Sequence, residues 1–197
     1  MRDEMEKWER EGGVTFLRKV GIRPGYRVLD FGARVGHYTV PAAHIVKENG
    51  LVYAVDKEHD SLVQLERKAR RLGLRNVKII ENSGGMTLDL KDGLINVVLL
   101  YDVLHYFKKD ERKRLYEEVY RILEPDGLLS VYPKHVLEDV PLNEFKNLHV
   151  EDVKKEIQNS NFFFKEKYCG TMSHDNSLNR GCVFVFNKSL KKEPDSL

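Results

Sequence analysis

The chain has 197 residues, 41% of them hydrophobic, enough for one sizeable core in a single domain. Its 33 basic and 31 acidic residues leave a net charge of +2, which argues against an extended nucleic-acid groove and against a membrane surface. The charged start "MRDEMEKWEREGG" is not a signal peptide, and the longest apolar stretch, "LINVVLL", is too short to cross a bilayer.

Apolar, β-rich runs alternate with helical patterns. "YRVLDFG" reads as a buried strand, and "TVPAAHIVKENG" as a helix ended by Asn49-Gly50. "LVYAVD" is the second strand. The next helix puts Leu62, Leu65, Ala69 and Leu72 on one face and stops at Gly73. The basic run "ERKARRLG" is the solvated face of that helix. "NVKIIEN" and "INVVLLYD" are strands three and four. The helix "DERKRLYEEVYRIL" turns Leu115, Val119, Ile122 and Leu123 inward, and "EPDG" is a turn before the strand "LLSVY". Strands this apolar, separated by helices, imply a parallel sheet covered on both faces.

The ending differs. After the helix "VEDVKKEIQNSN" come "FFFKEKYCG" and "RGCVFVFNK", joined by a polar connection with no helix, so these two strands should pair antiparallel. Their cysteines, Cys169 and Cys182, are too few for a disulfide framework and lack CxxC spacing. They are expected to be buried, unlinked packers in a cytoplasmic protein. The predicted division is a helical segment over 1–22, an α/β domain over 23–188 and a polar tail over 189–197.

In a parallel α/β sheet, chemistry lies at the carboxyl ends of the strands. Four segments converge there: "DFGARVG" from Asp30 to Gly36, Asp56, "ENSGG", and "YDVLHYF". A strand-ending acid such as Asp56 suits two ribose hydroxyls, because a carboxylate accepts several hydrogen bonds; the alternative is a helix-capping or turn acid. The GxxxG spacing of Gly32 and Gly36, with Asp30 ahead of it, disfavours a pyrophosphate and suits a ligand with a cationic amino group. Adenosine ribose, an amino-acid end and no phosphate describe S-adenosylmethionine.

On "VLDFGARVG", "VYAVD", "VVLLYDVLHYF" and "LEPDGLLSV", the chain resembles the class I S-adenosylmethionine-dependent methyltransferases of the small-molecule type, from about Arg23 to Asn187. The resemblance implies a Rossmann-like, doubly wound, seven-strand α/β sheet, mostly parallel with a reversed C-terminal hairpin. It also implies that Asp30, Gly32, Ala33, Arg34 and Gly36 form the methionine-side loop. Asp56 and Lys57 would lie at the ribose, Asn82, Ser83 and Gly84 at the adenine, and Tyr101 and Asp102 beside the sulfonium. In such proteins the N-terminal segment often lids the cofactor; plain packing of Met5 and Trp8 on the sheet is the alternative.

The chain departs from the family pattern where Arg34 replaces a glycine, where Ser83 replaces an acid, and where "EPDGLL" lacks a second glycine. A side chain at a left-handed position costs roughly 1–2 kcal/mol. Arg34 could point to solvent or a surface acid, fork onto a cofactor or substrate carboxylate, or mark a damaged site.

Asp102, His105 and His135 follow strands four and five and are the candidate acid–base residues, with Tyr106 and Tyr132 as candidate pocket walls. His44, His59, His105 and His135 show no metal-ligand spacing, so no metal is expected. The chain lacks an Asn/Asp-Pro-Pro-aromatic stretch, a cysteine near strand four and a thiolate cluster. These absences disfavour nucleic-acid amines, pyrimidine carbons and arsenite-type acceptors. A small-molecule acceptor is expected, with a protein side chain as the second choice and no nucleic-acid or membrane partner. The competing readings are a non-catalytic cofactor-binding protein and a nicotinamide-dependent oxidoreductase.

Overall fold

The computed structural model describes residues 2–188; the tail over 189–197 lies outside them. Five parallel strands form the centre: β1 (Arg27–Phe31), β2 (Leu51–Asp56), β3 (Val77–Glu81), β4 (Ile95–Tyr101) and β5 (Leu123–Tyr132). Helices α3 (Thr39–Val46), α4 (His59–Arg71) and α5 (Lys109–Ile122) connect them. Val28, Val97 and Leu99 face one apolar cluster, while Leu29, Val98 and Leu100 face the other. Both faces are thus buried, as the continuous apolar strands predict.

Two boundaries differ from the sequence reading. Helix α3 ends before Lys47, which takes a left-handed φ of 58°, ahead of Asn49-Gly50. Leu123 belongs to β5, where it pairs with Ile95, and pairing resumes at Leu128 opposite Val97. Glu124–Gly127 therefore bulge from the strand and do not precede it.

The seven strands run in the order β3-β2-β1-β4-β5-β7-β6. Helix α6 (Val150–Gln158) leads into β6 (Phe162–His174), and β7 (Ser177–Lys188) returns antiparallel to both β6 and β5. Val131 pairs with Phe184, near the carboxyl end of β5. The part of β7 before Phe184 and its partners in β6 therefore overhang the carboxyl end of the parallel strands.

The cysteine expectation is corrected in this hairpin. Cys169 and Cys182 do lie on neighbouring antiparallel strands, but they are register partners and form a disulfide, with Cα atoms 4.0 Å apart. Cys169 is exposed and Cys182 half-buried. Spacing along the chain placed them on adjacent strands, but only the strand register sets them directly opposite.

The N-terminal segment is helical through α1 (Arg2–Lys7), one π-turn (Trp8–Gly12) and α2 (Gly13–Val20). Met5 and Trp8 are buried, and the Trp8 indole N–H donates to the Thr171 carbonyl at 3.0 Å. The Trp8 ring stands edge-on to Tyr38, with centroids 5.4 Å apart. Glu9 is buried too, bonded to His37 at 2.6 Å and to Lys68 at 2.8 Å. These two partners hold its carboxyl below the usual range against the burial that would raise it. One lysine of the basic α4 face thus ties down a buried acid.

Candidate active site

The loop after β1 has its shape from two glycines and one acid. Gly32 and Gly36 have φ values of 84° and 85°, and a Cβ at Gly36 would run into Leu65 of α4. The Gly32 and Ala33 amides donate to the Val55 carbonyl at 2.8 and 3.0 Å. The Arg34 amide then donates to Asp56 Oδ2 at 2.7 Å, and the Glu58 amide to Asp56 Oδ1 at 2.9 Å. Asp56 therefore braces both the β1 loop and the start of α4, combining a turn role with its position at the strand end.

Arg34 is left-handed, with φ 46°. Its guanidinium forms an ion pair with Asp175 at the tip of the β6–β7 hairpin, and both side chains are more than half exposed. His37 Nε2 also meets Asn176 at 3.3 Å, and the Tyr38 hydroxyl donates to the Ser173 carbonyl at 2.7 Å. The hairpin tip is thus fastened to the loop. Of the alternatives for Arg34, the structure shows pairing with a surface acid.

Asp30 is buried, and Thr39 Oγ1 of α3 donates to it at 2.6 Å. Burial first, and the Asp56 charge with it, pushes the Asp30 carboxyl up to about 6 despite the Thr39 bond. At the end of β3, Asn82 Oδ1 receives the Gly84 and Gly85 amides at 3.2 and 3.0 Å, which closes its own turn, while Ser83 and Gly84 are exposed. Lys57 is exposed, 5.9 Å from the exposed Tyr106 ring.

Tyr101 departs from its expected place. Its ring turns into the core beside Tyr38, with centroids 4.6 Å apart, and its hydroxyl shares a 2.7 Å bond with Ser130. It shares a cluster with Val97 and Leu99, four and two residues back along β4, as strand alternation requires. Tyr132 is buried in the same cluster, whereas Tyr106 is exposed.

Asp102, His105 and His135 do come together. His105 Nδ1 lies 3.7 Å and His135 Nε2 3.6 Å from Asp102 Oδ1. A fourth member, His174, donates from Nδ1 to Asp102 Oδ2 at 2.6 Å. Burial raises Asp102 despite the His174 and His135 partners, while burial and the neighbouring imidazoles push His105 down to about 4. Asp102 and His135 are both left-handed, with φ of 55° and 62°. The sequence reading missed His174 because it sits on β6. The signal was the hairpin's length: strands this long must reach past the end of β5. Donor atoms of Asp102, His135 and His174 lie within 4.8 Å of one another, a grouping that histidine spacing along the chain does not show.

Residues 28–127 match the family described as "Methyltransferase domain". The chain belongs to that family. Its fold is that of the class I methyltransferases, whose cofactor is S-adenosylmethionine. A probable cobalt-precorrin-6B C(15)-methyltransferase of Sulfurisphaera tokodaii is 30% identical over 87 residues, 44% of this chain and 45% of that protein. The uncharacterized methyltransferase YcgJ of Bacillus subtilis is 28% identical over 146 residues, 74% of this chain and 55% of that one. The chain spans about half the length of the curated relatives it matches. A SAM-dependent methyltransferase structure from Aquifex aeolicus superposes with a TM-score of 0.72 at 19% identity, covering 95% of this chain and 97% of that one. Among the described residues, no helix is long and apolar enough to cross a membrane.

Proposed function

We propose that the protein moves a methyl group from S-adenosylmethionine to a small-molecule acceptor at the carboxyl ends of β1, β2 and β4. The observation that carries this reading is the bond from the Arg34 amide to Asp56, which sets a glycine turn and a strand-ending acid side by side. Each Asp56 oxygen accepts one backbone N–H, and a carboxylate oxygen has room for a second donor, so two ribose hydroxyls suit it. Asp30, Gly32, Ala33, Arg34 and Gly36 would hold the methionine side, Lys57 would flank the ribose, and Asn82, Ser83 and Gly84 would face the adenine. Tyr101 supports these groups from within the core.

The cofactor supplies an electrophilic methyl group on a sulfonium. The chain's part is to hold the acceptor in line, exclude water and take a proton where the acceptor has one to lose. Asp102 and His135 stand at the ends of β4 and β5 for that proton, with His105 as a neutral imidazole beside them. The name of the cobalt-precorrin relative supports a small-molecule acceptor over a protein side chain.

A second reading, a cofactor-binding protein without transfer, is favoured by Arg34, whose strained backbone and hairpin ion pair tighten the loop entrance. Titrating Trp8 and tyrosine fluorescence with S-adenosylhomocysteine and with NADH tests the cofactor. S-adenosylhomocysteine should bind and NADH should not; the reverse ends the methyl-transfer proposal. Binding without turnover over a panel of hydroxyl, thiol and amine acceptors would favour the second reading.

A further inference from the structure

Asp102, His105, His135 and His174, from three segments of the chain, converge at the carboxyl end of β4. Asp102 Oδ1 and His105 Nδ1 are buried, 3.7 Å apart, and find no hydrogen-bond partner among the described residues. Leaving such polar atoms buried and unmet costs about 1–3 kcal/mol each, so their pairing needs a reason.

His135 sharpens the point. Its Nδ1 lies 3.2 Å from the Val140 carbonyl, which can only accept, so Nδ1 carries the proton. In the neutral ring the Nε2 lone pair then faces Asp102 Oδ1 across 3.6 Å. Two lone pairs opposed in this way call for a positive charge between them, which a bound cation supplies. An imidazole that donates its far N–H to a carbonyl is also the usual support of a metal-ligating histidine.

We propose that Asp102, His135 and His174 form a binding site for one divalent transition-metal cation of the zinc, cobalt or iron(II) class, with His105 as an adjoining donor. Their donor atoms lie within 4.8 Å of one another, and metal binding would replace the hydrogen bond between His174 Nδ1 and Asp102 Oδ2. Ligand bonds of about 2.1 Å place tetrahedral donors roughly 3.4 Å apart, so small side-chain rotations close the set. Imidazole with a single carboxylate selects this class over magnesium or calcium, which prefer all-oxygen shells. Asp175, 3.9 Å from His174, is already paired with Arg34, so the charge of the three-residue set comes from Asp102. The side chains of Asp102, His135 and His174 are 16%, 14% and 18% exposed, which leaves an open face for a further ligand.

The site adjoins the crevice where methyl transfer is proposed, and its catalytic use, though not its existence, rests on that reading. With Asp102 and His135 engaged as ligands, the metal takes over their part in deprotonation: an acceptor hydroxyl or thiol coordinated there would lose its proton to solvent at lower pH than when free. Its oxygen or sulfur then bonds to the methyl carbon as the sulfonium S–CH3 bond breaks. That electron pair stays on sulfur and leaves a neutral thioether.

The test is calorimetric titration of the chelator-treated, intact protein with Zn2+, and with Co2+ read by its visible absorption. One equivalent of each metal should bind, with cobalt bands of a four- or five-coordinate nitrogen–oxygen site. His174→Ala, at the hairpin tip, and His135→Gln should each weaken zinc binding at least about tenfold, while His149→Asn, an exposed histidine paired with Glu138, should not. No binding by the folded wild type, or binding that survives both histidine changes, overturns the site. S-adenosylhomocysteine is titrated in parallel. Zinc binding without it leaves the metal site standing and removes its catalytic use, whereas cofactor binding without zinc removes the metal site alone.

Discussion

The Arg34 amide donates to Asp56 Oδ2 at 2.7 Å, so the backbone of residue 34, and not its guanidinium, ties the β1 loop to β2. The side chain turns the other way, to Asp175. Backbone and side chain of one residue thus serve two different partners.

Arg34→Gly should therefore keep the loop. It relieves a left-handed strain of roughly 1–2 kcal/mol, loses an exposed ion pair worth about 0–1, and adds glycine's unfolded-state freedom of about 0.5–1. These terms nearly cancel. S-adenosylhomocysteine affinity should stay within about threefold of wild type, or tighten. A tenfold loss in titration would instead place the guanidinium on the cofactor.

Asp56→Ala removes the acceptor of both the Arg34 and Glu58 amides. S-adenosylhomocysteine binding should weaken by roughly 1–3 kcal/mol, and thermal stability should fall with it. Asp56→Asn keeps one oxygen and should lie between. An unchanged dissociation constant in both variants removes Asp56 from the site.

Asp30 titrates at about 6 in the folded protein against 3.8 when unfolded. Between these values the folded state holds the extra proton. Its contribution to stability is therefore whole below about pH 4 and is lost as the pH rises through 6, by about 3 kcal/mol in all. Asp30→Asn should be more stable than wild type at pH 7.5, with the gap shrinking toward pH 4. Urea unfolding of both proteins across that range measures it, and a gap that does not change with pH refutes the assignment.

The Cys169–Cys182 disulfide closes a loop of 13 residues around the hairpin tip that carries His174 and Asp175. Such a closure contributes roughly 3 kcal/mol on the chain-entropy account. Reduction should add two hydrogens by mass, speed amide exchange over 170–181 and shift the emission of Trp8, which is bonded to Thr171. Native protein that already reacts with thiol reagents before reduction would show the bridge absent in solution.

The alternation of apolar strands and helices made the five-strand parallel centre legible, and Gly32, Gly36 and Asp56 made its ligand end legible, because these depend on local pattern. Cys169–Cys182 and His174 were not legible in the same way. Both depend on the register of β6 against β7 and on how far the pair overhangs β5, which no local period encodes. Tyr101 was misplaced for a smaller reason. Motif position put it beside Asp102, but strand alternation sends adjacent side chains to opposite faces, and Tyr101 follows Leu99 into the core.

The overhang of β7 before Phe184 also orders events in folding. Strands β1 to β3, and separately β4 with β5, can collapse with their helices through contacts between neighbours in sequence. Asp102, by contrast, waits for His174, 72 residues further along, before its carboxylate has this partner. Contacts of such separation form late, because the chain must close a long loop before they repay it. During synthesis, the site at the end of β4 therefore stays incomplete until the last two strands have left the ribosome and docked.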